Sequence, residues 1–183
     1  MEYSITPRET KYNDILFRSR LEAKWACFFD LVGWEWQYEP SEINGYNPDF
    51  IIKAKSKAYY TNTIIVEVKP SVYLDSKEKD SIIRKYHDVK AHILMLSDIP
   101  FWVNSNSNIC IGYGSQYVNN QNHTNYYDIE MKCVEDFGSM CMIFDGMIYG
   151  DCERKWFTMS DDPDHNAIKK LWNEASNITK FKV

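Results

Sequence analysis

Residues 47–70 constrain this chain more than any other stretch. They read Asn-Pro-Asp-Phe-Ile-Ile, then a short polar insertion, then Ile-Ile-Val-Glu-Val-Lys-Pro. Side chains alternate along a strand, so Ile65, Glu67 and Lys69 project to one side and Ile64, Val66 and Val68 to the other. A carboxylate and an ammonium two residues apart, on a strand otherwise built for burial, are costly without partners. Asp49 opens the neighbouring apolar run and can complete the group. Two carboxylates and a nearby ammonium make a site for a hard divalent cation with a water beside it. The plainer alternative is an inert ion-pair cluster at a solvated sheet edge.

The surroundings give this stretch a context. Upstream, Leu21, Trp25, Phe28, Phe29 and Val32 recur at helical spacing, and Gly33 is placed to end that helix. Glu22 lies beside the buried stripe, with a salt bridge to Arg18 along the helix as its ordinary explanation. Trp34, Trp36 and Tyr38 alternate with polar residues, as in a strand, and Asn44-Gly45 is a turn signal. Downstream, residues 76–90 read as a charged helix whose Ile82, Ile83, Tyr86 and Val89 face a sheet. The run 93–96 then completes strand, helix, strand, which suits a parallel crossover.

Phe17-Arg18-Ser19-Arg20-Leu21-Glu22-Ala23-Lys24-Trp25, then Pro48-Asp49, a hairpin, and Glu67-Val68-Lys69 resemble the PD-(D/E)XK nuclease superfamily. The likeness is to its small phage- or viral-type members, which carry an Arg-Ser-x-Leu-Glu-Ala-x-Trp helix before the Pro-Asp strand. It covers about the first half of the chain, and Leu171-Trp172-Asn173-Glu174-Ala175-Ser176-Asn177 is similar to their ending. The resemblance implies an α/β fold: a restriction-endonuclease-like core with a central mixed β-sheet flanked by helices, extra C-terminal strands and a terminal helix. It implies one domain over residues 1–183, with its core at about 14–112 and an elaboration at about 113–183. By the same likeness, Asp49, Glu67 and the Val68 carbonyl would hold Mg2+ or Mn2+, Glu22 would approach the metal site to support a second metal or hold the water network, and Lys69 would orient or help deprotonate the attacking water. Glu22, Asp49, Glu67 and Lys69 are thus the expected catalytic set. The implied activity is metal-dependent hydrolysis of DNA phosphodiesters, by an endonuclease of phage or mobile-element DNA processing acting in the host cytoplasm. A non-catalytic binding module on the same scaffold, or a nuclease subunit active only within a larger complex, is the alternative. A homodimer or nucleoprotein assembly is compatible with either.

Nucleic-acid contacts are weaker in the sequence. Lys55, Lys57 and Tyr59 lie in a basic, aromatic hairpin loop able to touch phosphates or stack on a base, although a solvated turn explains them as well. Lys85, on the basic side of the second helix, is a further candidate against the reading of a solvated helix face. The net charge of −5 argues against a broadly basic DNA-coating surface, while leaving room for a local basic groove. Five cysteines, an odd number without a Cys-x-x-Cys pair, disfavour a zinc ribbon and suit reduced thiols. No stretch is long and apolar enough to span a membrane, and the N-terminus lacks an apolar signal core.

The remaining chain reads as structure. Residues 1–13 are expected as an irregular lead-in, and those around 100–108 and 114–125 as loops rich in Asn and Ser. Strands are expected at 109–112, 126–134, 140–144 and 147–149, with Asp145-Gly146 as a tight turn. The acids of 161–164 favour the start of a last helix carrying Ile168, Leu171, Trp172 and Ala175.

Overall fold

The described chain begins with a hairpin of β1 (Thr10–Tyr12), which falls in the expected irregular lead-in, and β2 (Ile15–Phe17), which follows it. Asn13 and Asp14 make its turn at φ of 46° and 63°, a left-handed conformation that these two residue types tolerate. Three-residue strands are too short to show a period of two, so the signal lies in the turn alone. The computed structural model describes residues 7–53, 63–71, 74–98, 102–103, 109–115, 117, 127–134, 139–144, 146–149 and 163–180.

The elements that follow are α1 (Arg20–Leu31), β3 (Glu35–Tyr38), β4 (Phe50–Lys53), β5 (Thr63–Val68), α2 (Ser76–Tyr86) and β6 (His92–Leu96). Then come β7 (Trp102–Val103), β8 (Ile109–Ser115), β9 (Tyr127–Val134), β10 (Ser139–Phe144), β11 (Gly146–Tyr149) and α3 (Pro163–Ile178). Strand β7 falls where a loop is expected, and β8 runs three residues beyond the expected strand. The acid run at 161–162 lies outside the described residues.

The fold is α/β, with a mixed sheet flanked by helices. Strands lie in the order β11-β10-β9-β8-β6-β5-β4-β3, and β7 pairs with β8. Among the described residues, only β5 and β6 pair in parallel, joined through α2 as the strand–helix–strand pattern requires. Helix α1 starts at Ser19, whose hydroxyl accepts the Glu22 N–H at 3.2 Å, and Gly33 follows its end at φ 72°. Helix α2 starts with a capping box between Asp75 and Glu78.

Alternation along β5 divides the core in two. Ile64, Val66 and Val68 join Phe50, Ile52, Leu94 and Leu96 under α1 and α3. Ile65 joins Ile93 and Met95 under Ile82, Ile83 and Tyr86 of α2. The C-terminal helix is part of the first layer: Trp172 lies 4.5 Å from Trp25 between ring centroids, and Leu171 and Ala175 are buried with it. Among the described residues, no helix is long and apolar enough to cross a membrane.

Candidate functional site

The register of β4 and β5 builds the site. Phe50 pairs with Val66 and Ile51 with Ile65, so one further step sets Asp49 opposite Glu67, on the α2 face. Both acids are buried, at 6% and 3% exposure. They sit at the strand ends, where the ladder runs out and side chains can take up the remaining backbone groups.

Each of their four oxygens has a protein donor. Asp49 Oδ2 accepts the Val68 N–H at 2.7 Å, and Asp49 Oδ1 accepts from Arg18 Nη2 at 2.6 Å. Glu67 Oε1 accepts from the Tyr86 hydroxyl at 2.6 Å, and Glu67 Oε2 from Lys69 Nζ at 2.5 Å. Lys85 Nζ stands 3.7 Å from Glu67 Oε1 and 5.5 Å from the centre of the Tyr46 ring. Its side chain is 28% exposed, so it is a half-buried member of the cluster.

Glu22 reaches the cluster from the other side of the sheet. Its Oε2 accepts the Tyr38 hydroxyl at 2.7 Å, and its Oε1 lies 3.8 Å from Arg18 Nη2. The same guanidinium nitrogen therefore lies between Glu22 and Asp49, while Arg18 Nε binds Glu39 at 2.7 Å. The Tyr38 hydroxyl also accepts the Arg18 backbone N–H at 3.0 Å.

Charge is poised in this group. Burial pushes the Asp49 carboxyl up to about 6, with further contributions from Glu67 and Glu22, against the lowering effects of the Val68 N–H and Lys69. Burial, aided by the bond to Glu22, raises the Tyr38 phenol to about 12. The Tyr86 phenol is raised by burial and then by its bond to Glu67. Burial opposes the charge on Arg18, but Tyr38 and the three carboxylates around it prevail and raise its pKa.

The structure thus brings Asp49, Glu67, Lys69 and Lys85 together and links Glu22 to them through Arg18. It does not gather three acids: among the described residues, no three His, Cys, Asp or Glu side chains form a group able to hold a metal. The donor set of Asp49, Glu67 and the Val68 carbonyl is all oxygen and suits a hard cation. Repulsion from Glu67, which adds to burial in raising Asp49, is what a dication would relieve. Lys55, Lys57 and Tyr59 lie outside the described residues.

Tyr38, Glu39 and Tyr86 complete the site and were not singled out for it by sequence reasoning, and Arg18 was assigned only to Glu22. Tyr86 carried a signal, since a tyrosine on an apolar helix face needs a partner for its hydroxyl. The link from Arg18 to Asp49 spans 31 positions and leaves no local mark. No family model, curated protein or solved structure matches this chain.

Proposed function

We propose that the protein is a metal-dependent nuclease that hydrolyses phosphodiester bonds of DNA, of the PD-(D/E)XK type, cleaving within the strand during phage or mobile-element DNA processing. The observation that carries this reading is the opposition of buried Asp49 and Glu67 across β4 and β5, with Lys69 bound to Glu67. Asp49, Glu67 and the Val68 carbonyl would hold Mg2+ or Mn2+. When bound, such an ion polarises a phosphate oxygen and lowers the pKa of a coordinated water. Lys69 then orients the attacking water and offsets charge that develops at the phosphate. Lys85, beside Glu67, and Tyr46, which is 44% exposed and neighbours Lys85 and Tyr86, would supply contacts for a phosphate and a base.

A second reading is a recognition module that has kept the scaffold without the chemistry. It is favoured by one observation: all four carboxylate oxygens of Asp49 and Glu67 are already met by protein donors.

The test is a cleavage assay on supercoiled plasmid, linear duplex, single-stranded DNA and RNA, with Mg2+, Mn2+ or EDTA. Cleavage that needs the metal and is lost in folded Asp49→Asn and Lys69→Ala proteins supports the nuclease. Nucleic-acid binding indifferent to EDTA, with no product from any substrate, supports the module.

A further inference from the structure

We infer that Arg18 is the resident cation on Asp49 and is displaced from it when a divalent metal enters. This rests on the reading of Asp49 and Glu67 as metal ligands.

Each carboxylate oxygen offers two lone pairs, so a metal can share an oxygen with a hydrogen-bond donor, but it meets the positive charges already held there. These are Arg18 on Asp49 and Lys69 and Lys85 on Glu67. The two lysine side chains are 31% and 28% exposed, and both face Glu67. Arg18 differs in two ways. Its side chain is 55% exposed, so it can move without opening the core. It also has other acids to keep: Glu39 holds its Nε at 2.7 Å, and Glu22 Oε1 waits 3.8 Å from the nitrogen that Asp49 would release.

The exchange gives Glu22 a definite part. Tyr38 fixes Glu22 by its other oxygen, leaving Oε1 to receive Arg18. Glu22 is then a positioning residue that receives the displaced guanidinium, in place of the metal-site role that the resemblance implies. This accounts for the lack of a three-acid group among the described residues. The cluster keeps one cation on Asp49 in either state, so buried like charges are never left facing each other.

The test is Mn2+ binding by calorimetry, without nucleic acid, on the intact chain. Arg18→Gln should bind Mn2+ about tenfold or more tightly than wild type, because no charge-assisted bond to Asp49 need be broken. Arg20→Gln removes the same charge two residues away and should leave affinity nearly unchanged. Glu22→Gln should weaken Mn2+ binding in wild type and have much less effect in the Arg18→Gln background, the coupling expected of residues that act through each other. If Arg18→Gln does not fold, Arg18→Lys should still tighten binding, since lysine lacks the fork that spans Asp49 and Glu39.

Equal or weaker affinity in the Arg18 variants, or the same loss from Glu22→Gln in both backgrounds, overturns the exchange while the metal site stands. No Mn2+ binding by any protein overturns the metal reading and the exchange together.

Discussion

Tyr86 and Glu67 are joined by a 2.6 Å hydrogen bond between helix α2 and strand β5, and both side chains are buried. The bond ties the acid of the candidate site to the helix that covers it. Tyr86→Phe keeps the ring and removes only the donor to a buried carboxylate. It should cost about 1.5–3 kcal/mol, read as a lower urea midpoint at unchanged slope. On the proposed nuclease reading, cleavage should also slow, because Glu67 loses one of the bonds that aim it. Unchanged stability would mean that the hydroxyl is dispensable to Glu67.

Asp49 makes stability depend on pH. Its carboxyl is raised from 3.8 to about 6 in the folded chain. Between those values the folded state holds the proton more tightly than the unfolded one, so stability is greatest below 3.8 and falls as pH rises through about 6. The loss from this group alone is on the order of 3 kcal/mol. Asp49→Asn should remove this component, so that the difference between the two proteins narrows or reverses from pH 4 to pH 7. Denaturant titrations at steps of half a pH unit would show it.

Trp172 anchors the last helix. Its ring meets Trp25 and Phe28, and Lys24 Nζ lies 3.8 Å from its centre. Trp172→Ala should destabilise the chain by about 3–5 kcal/mol. Backbone amides of α1 should then exchange faster with solvent. An effect confined to α3 would show that the helix is an appendage.

Gly112 lies where β8 passes β6. A Cβ there would fall on the Met95 carbonyl oxygen and 2.9 Å from Leu96 Cδ2. Backbone cannot retreat as a flexible side chain does, so Gly112→Ala should cost about 1–3 kcal/mol. Thermal melting would record it.

Much of the framework is legible in the residues themselves. The stripe from Leu21 to Val32, the alternation of Ile64 to Val68, and the run at 93–96 specify helix, strand and parallel crossover, because each is a local period. The pairing of Asp49 with Glu67 follows from two such strands and a hairpin between them. The short β1–β2 hairpin is the main departure, since its turn chemistry carries what its three-residue strands do not.

By itself, then, the sequence determined which faces are buried and that two acids and a lysine interrupt a buried strand. Only the tertiary structure decided how those charges are satisfied. Arg18 bridging Asp49 and Glu39, Tyr86 closing on Glu67, and Tyr38 fixing Glu22 join residues far apart along the chain. Apolar burial repeats with the period of its own element and can be read one segment at a time. A buried charge takes whichever donor the assembled fold brings within hydrogen-bonding distance, and no local pattern records that choice.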